Sequence, residues 1–213
     1  KPLYFISGLA AGSLAACVGY RLFYHVRVRV MAWSDPFQFI DNEGYQITQS
    51  LFAIGTGGWL GAGLYQGEPN KIPVVGEDFM FSAIAEEFGG AFAICLILIC
   101  MSCFMMFVNI AMQIKNDFYK YTALGLGTLY GFQVFLTIGG AVKFIPSTGV
   151  TLPLVSSGGS SMVVTIGMFA IIQGMYLLKE DEDLKIEKER KRIAKAKAKK
   201  ARAAKAAKAK EGS

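Results

Sequence analysis

Charge is scarce in this sequence: Asp, Glu, Lys and Arg supply 18% of its 213 residues, whereas hydrophobic residues supply 53%. That balance leaves too little polar surface for an ordinary soluble domain and predicts a membrane chain. Histidine is nearly absent, with His25 alone. In a basic stretch between Arg21 and Arg29, it reads as a surface or headgroup residue rather than a catalyst. The four cysteines, Cys17, Cys95, Cys100 and Cys103, fall inside apolar runs, which excludes a disulfide framework. Cys100 and Cys103 form a C-x-x-C with no second pair and no neighbouring His, so they read as small membrane-helix residues rather than metal ligands. A basic n-region and an A-x-A cleavage pattern are also missing. The opening at Lys1, followed at once by an apolar run, reads as a piece of a longer protein and not as a signal peptide.

The charges that are present are segregated. Fourteen of the 22 Lys and Arg, against seven of the 16 Asp and Glu, lie at or beyond Lys179, so that segment carries +7 and everything before it −1. The basic excess therefore belongs to an Ala/Lys-rich tail rather than to a folded face, which argues against nucleic acid as a partner. Residues 179–213 are expected to be a cytoplasmic tail, disordered or partly helical, drawn to anionic membrane lipids.

Four stretches are long and apolar enough to span a bilayer, which takes about 20 residues. They are Pro2 to Tyr20, about Phe79 to Met112, about Tyr121 to Val142, and about Ser161 to Leu178. The second exceeds one bilayer thickness, which predicts tilt or an extension beyond the lipid. Basic residues near helix ends favour the cytoplasmic side. With the tail inside, residues 21–78 and 143–160 form external loops and Lys115 to Lys120 an internal turn. The expected architecture is an all-α polytopic membrane protein: a membrane domain over 1–178 with four transmembrane helices and a large extracytoplasmic loop containing re-entrant or short helical pieces. Arg21, Arg27 and Arg29 then lie outside, against the usual bias, which either an anionic ligand or headgroup solvation explains.

Polar groups are costly at membrane depth, so the informative motifs are the polar and Gly-rich blocks of the two external loops. In order they supply Arg29, Trp33, Asp35 and Pro36; Gly44, Tyr45, Gln46, Gln49 and Ser50; Ala53 to Gly58 with Gly61 and Gly63; Pro73, Asp78, Phe79 and Phe81; Glu86, Glu87 and Gly89; and Pro146, Gly149, Leu152, Pro153, Ser156 and Gly158 to Ser161. These blocks, in this order, resemble the FtsW/RodA/SpoVE (SEDS) family of peptidoglycan glycan-strand polymerases. The resemblance runs from Arg21 to Leu178 and covers about the last four of the family's roughly ten helices. It departs in three places. Val74 follows Pro73 where the family has an acid and Glu77 stands where Thr is usual. Ser157 replaces an aromatic residue, and Lys143 replaces a common Gly.

The resemblance implies a glycosyltransferase that joins lipid II, an undecaprenyl-pyrophosphate-linked disaccharide peptide, in the bacterial cytoplasmic membrane. It also implies a class B penicillin-binding protein as partner and a divalent cation, Mg or Mn, for which no metal-ligand spacing is visible. Asp78 is the expected catalytic residue, a general base that takes the proton of the attacking sugar hydroxyl. A structural role as helix N-cap is the alternative at that position. Expected substrate contacts are Arg29 and Lys71 for pyrophosphate, Gln46, Gln49 and Ser50, Glu86 and Glu87, and Ser156 and Ser160. Glu86 and Glu87 lie about two turns into a membrane helix, where a carboxylate needs a partner. The glycines of 55–63 permit either close backbone packing or a close approach to ligand. Competing functions are a flippase for the lipid-linked precursor and a non-catalytic division scaffold.

Overall fold

The structure is a computed structural model that describes residues 2–42 and 44–211, with side chains described through Lys195 except those of Pro2, Phe5 and Glu182. Among the described residues there is no strand. The helices are α1 (Pro2–Leu22), α2 (Tyr24–Ser34), α3 (Tyr45–Gly57), α4 (Met80–Gln113), α5 (Asp117–Ala141) and α6 (Gly159–Glu211), with a 3-10 turn at Pro69–Lys71. By length and composition, α4, α5 and α6 can each cross a membrane. A fourth crossing exists if α1 and α2, bent by 99° at their junction, count as one broken span. The expected first span is therefore helical but continues around a sharp bend, and the segment before α4 is built largely from short helices.

The chain divides into two compact units, residues 1–105 with 127–166, and residues 106–126 with 167–213. In the first, small and aromatic side chains make the core. Ala32, Ile47, Ala53, Ile72, Phe79, Phe81, Ala85, Ala93 and Ala141 are buried together. Alanine and glycine at these contacts let backbones approach closely, as membrane helices require when no hydrophobic force separates them from lipid. In the second unit Phe107 meets Phe169 edge to face at 4.8 Å. Its polar end is tied by Lys115 to Asp183 at 2.8 Å and by Lys179 to Gln113 at 3.1 Å. The backbone of the basic tail continues α6 as helix to Glu211.

The excess length of α4 has a different origin from tilt. Gly89 has φ 84° and ψ 170°, so the 34-residue element is two helices joined at a kink. The longer piece, 90–113, is about 36 Å long at 1.5 Å per residue, close to one hydrocarbon thickness of about 30 Å. Breaking a helix frees carbonyls and amides that must find new partners. The glycine segment before α4 supplies them. Ala62 N–H donates to the Glu86 carbonyl at 2.8 Å and Gly63 N–H to that of Glu87 at 3.1 Å. In return Gly90 N–H reaches the Gly58 carbonyl at 2.7 Å and Ala91 N–H that of Trp59 at 3.3 Å.

This contact explains the glycines at two positions. A Cβ on Gly57 would run into the Ala85 carbonyl and the Glu86 backbone, and one on Gly89, already at positive φ, into Gly61 and Trp59. Gly55, two residues earlier on α3, has nothing within 4 Å of its would-be Cβ. Gly57→Ala should therefore destabilise the full-length protein by about 1–3 kcal/mol or more, through overpacking of backbone on backbone. Gly55→Ala should be neutral or stabilise by up to about 1 kcal/mol from helix propensity. Unfolding in detergent, followed by circular dichroism, distinguishes the two.

Candidate functional site

Asp78 sits just before α4, on a turn whose position is fixed from the 142–158 segment. Ser157 donates to the Gly76 carbonyl twice, from its backbone N–H at 2.7 Å and from its hydroxyl at 2.8 Å. Two residues further on, Asp78 is half-buried. The same segment holds α2. The Trp33 indole N–H donates to the Lys143 carbonyl at 3.1 Å, and Arg29 Nη1 donates to the Ser147 carbonyl at 3.1 Å. Three hydrogen-bonded ties thus bring α2, the pre-α4 turn and residues 143–157 around one point.

That point lies at Gly149, which has φ 74°. A Cβ built there would stand 3.5 Å from Arg29 Nη2 and 3.5 Å from Asp78 Oδ2. Arg29 and Asp78 form no ion pair with each other, and a residue without a side chain separates them. Around them opens a cleft of about 390 Å³, whose lining also includes Asn42, Tyr45, Gln46, Pro73 and Ser147. Burial, and then the adjacent Glu77 carboxylate, push the Asp78 carboxyl up from its ordinary value, while the Arg29 guanidinium pulls the other way. The outcome is a carboxylate more basic than usual, open to a cleft. It is not an N-cap: α4 starts at Met80. Its first turn is closed by the Phe79 carbonyl accepting from Ser82 N–H at 2.9 Å. Among the described residues no helix amide donates to the Asp78 carboxylate.

A second cleft, of about 310 Å³, lies further along α3, lined by Gln49, Phe52, Thr56, Gln66, Glu68, Lys71 and Glu86 among others. Lys71 pairs with Glu68. That hydrogen bond, followed by the attraction of the Glu68 charge, pushes the Lys71 ammonium up from its ordinary value. Glu86 is only 6% exposed. One of its carboxylate oxygens accepts the Glu68 N–H at 3.1 Å, and the other has no hydrogen-bond partner. A buried acceptor left unpaired costs about 1–3 kcal/mol, and more when it is charged.

The expected site residues therefore separate into three groups. Arg29, Gln46 and Asp78 share the first cleft; Gln49, Lys71 and Glu86 share the second. Ser50, Ser156, Glu87 and Ser160 line neither. Ser50 is fully buried, its hydroxyl 2.6 Å from that of Ser82 and donating to the Ala141 carbonyl at 2.8 Å, which knots α3, α4 and the end of α5 together. Ser156 is buried and accepts the Leu152 N–H at 2.9 Å, closing the turn 152–156. Glu87 is half-buried, and its carbonyl serves the glycine contact; Ser160 is exposed at the start of α6.

A family profile described as "Cell cycle protein", covering FtsW, RodA and SpoVE, matches residues 2–179. The chain belongs to the FtsW/RodA/SpoVE family. It is 36% identical over 167 residues to the peptidoglycan glycosyltransferase RodA of Mycobacterium bovis, an alignment covering 78% of this chain and 36% of that relative. Against the probable peptidoglycan glycosyltransferase FtsW of Halorhodospira halophila it is 38% identical over 177 residues, 78% of this chain and 42% of the relative. Against FtsW of Saccharophagus degradans the values are 36% over 149 residues, 68% and 38%. The chain thus spans about two fifths of the length of these curated relatives. Its membership, with its apolar helices, makes it part of an integral membrane protein.

Several lining groups of this family member had no sequence signal as site residues. Ser147 acts through its carbonyl, which no side chain advertises. Asn42, Thr56 and Gln66 are common polar residues in a long polar segment. Gly149 belongs to the polar block of residues 146–161, whose pattern gives that glycine no role of its own. For the divalent cation that the resemblance implies, the described residues offer no group of three or more His, Cys, Asp or Glu. Asp78 has an arginine beside it and Glu68 is engaged by Lys71, so these residues do not form a cation cage. Ser50→Ala removes a buried hydrogen bond and strands the Ala141 carbonyl. It should cost about 1–3 kcal/mol of stability, read as a lower unfolding temperature of the full-length protein in detergent.

Proposed function

We propose that the full-length protein polymerises lipid II into glycan strands, with Asp78 as general base and Arg29 as the pyrophosphate contact. The observation that carries this reading is the pairing of a half-buried carboxyl of raised basicity with a guanidinium around the empty position at Gly149. In the reaction a sugar hydroxyl of one lipid II attacks the anomeric carbon of another. Asp78 takes the hydroxyl proton as the new C–O bond forms. The bond from the anomeric carbon to the phosphate oxygen breaks, and its electron pair leaves with the undecaprenyl pyrophosphate, inverting the anomeric centre. Arg29, its fork oriented by the Ser147 carbonyl, offsets charge growing on the departing phosphate. Gln46 and Tyr45 on α3 supply further hydrogen-bonding groups on the cleft wall. RodA of Mycobacterium bovis, a relative of this chain, is named as a peptidoglycan glycosyltransferase, which supports the assignment.

The cleft belongs on the outer face of the bacterial cytoplasmic membrane, with residues 21–78 and 143–160 outside and the basic tail from Lys179 in the cytoplasm. A class B penicillin-binding protein is the partner that would cross-link the strands. The tail adds attraction to anionic lipids of about 1 kcal/mol per basic residue near the surface.

Asp78→Asn keeps the shape and removes the proton acceptor, so the polymerisation rate of the full-length protein with its partner should fall by about 10² to 10⁴. Fluorescent lipid II in detergent and glycan ladders on a gel read the effect. A ladder of wild-type length and rate from the Asn variant would refute the base assignment. Scrambling of lipid II across vesicles by a wild type that makes no ladder would favour the flippase.

The pH profile supplies a second check with defined signs. Because burial and Glu77 raise the Asp78 carboxyl, the acid limb of kcat/KM should lie above the ordinary Asp range near 3.9. Glu77→Gln removes a raising charge and should move that limb to lower pH. Arg29→Gln removes the lowering charge and should move it to higher pH while also slowing the reaction. Limbs that stay fixed in both variants would show that another group titrates.

A further inference from the structure

The contact between the glycine segment and the α4 kink also fixes a depth. Met112 is the last apolar residue of α4, and about 20 residues counted back from it cross a hydrocarbon layer of about 30 Å at 1.5 Å each. The outer edge of that layer therefore falls near Ala93. Ala91 N–H donates to the Trp59 carbonyl at 3.3 Å and Gly90 N–H to the Gly58 carbonyl at 2.7 Å, which holds Trp59 within about one helical turn of the edge. Ala62 and Gly63, bonded to the Glu86 and Glu87 carbonyls at 2.8 and 3.1 Å, stand four residues, or roughly 6 Å, further out along the helix. Gly61 N–H is closed onto the Gly57 carbonyl at 2.8 Å. These bonds satisfy backbone groups that lipid could not.

The side chains at this depth are large, apolar and open. Leu60 is 91% exposed, Tyr65 89% and Trp59 72%, and Leu64 is exposed between them. Phe88 and Phe92 on α4, which stack at 5.0 Å and are also exposed, continue the aromatic band at the same level. Charge stops at the same boundary. From Gly44 to Gly67 the chain has no Asp, Glu, Lys or Arg, whereas the Glu68–Lys71 ion pair follows directly. Apolar side chains this open are a liability in water. At the edge of a bilayer they are the residues expected, because Trp and Tyr rings sit at headgroup level and Leu and Phe enter the acyl boundary.

We infer that residues 59–65 form a lipid anchor, in which Trp59, Leu60, Leu64 and Tyr65 enter the outer leaflet at the boundary of headgroups and acyl chains. The occupant of this surface is phospholipid. The anchor is independent of the reaction assigned to Asp78 and holds whatever that reaction is. Its consequence is positional: through the bonds to residues 86–91, the bilayer sets the height of the helix start that follows Asp78.

The test uses full-length protein in phospholipid nanodiscs. Leu60→Cys, Tyr65→Cys and Asn70→Cys, each in a background without other cysteines, carry a nitroxide. Its collisions are measured with oxygen, which partitions into lipid, and with a neutral nickel chelate, which stays in water. The oxygen-to-nickel ratio at position 60 should exceed that at position 70 by about fivefold or more, with position 65 between them. Phospholipid brominated near the headgroup end of its acyl chains should quench the wild-type tryptophan fluorescence, and Trp59→Phe should reduce that quenching. This second measurement needs no cysteine and serves if the labelled variants do not fold. A ratio at position 60 no higher than at position 70 places the segment in water. A label at position 60 reached by neither reagent places it against protein, either another part of the full-length chain or a partner. Each result overturns the anchor, as does bromolipid quenching that Trp59→Phe leaves unchanged.

Discussion

The break at Gly89 and the four backbone hydrogen bonds that repair it are the constraint on which the first unit is built. A helix interrupted among apolar surroundings leaves amides and carbonyls that lipid cannot satisfy, so the interruption survives only where another stretch of backbone meets it. Residues 57–63 do so, and side chains at Gly57 or Gly61 would prevent it. The contact fixes the end of α3 against the start of α4. It therefore sets where Glu86 points, where Gln49 faces it, and how the turn carrying Asp78 leaves the helix.

The Asp78 cleft depends on a second set of ties with a different chemistry. Backbone carbonyls of Gly76, Lys143 and Ser147 accept from Ser157, Trp33 and Arg29, so distant segments converge without needing complementary side chains. Two of the positions where the sequence departs from the family pattern, Lys143 and Ser157, take part. Lys143 contributes through its backbone carbonyl, at a φ of 60° that a glycine adopts more readily. Ser157 contributes both backbone and hydroxyl, so a small polar residue can close this junction where an aromatic is usual.

Much of this was legible in the sequence because apolar length and polar interruption are strong signals. The spans at α4, α5 and α6, the short helical pieces before α4 and the place of Asp78 just ahead of α4 follow from hydropathy and from blocks of residues matching the family. The kink was not legible, since Gly89 and Gly90 can also continue a helix and the positive φ of Gly89 depends on the partner backbone. Nor was the division of the polar residues. Ser50, Gln46 and Gln49 lie within five residues of one another, and only the helical rotation of α3 sends one into the core and the other two into separate clefts. The N-cap alternative for Asp78 turned on one residue of helix start, which sequence patterns do not resolve.

Synthesis order bears on the glycine contact. Every donor or acceptor that repairs the Gly89 break comes from residues 57–63, which leave the ribosome before residues 86–91. A nascent α4 therefore enters the bilayer with the partner for its interrupted backbone already made and close by in the chain. Such short-range closure carries a small entropic cost. The opposite order would oblige a broken helix to wait in lipid with bare carbonyls.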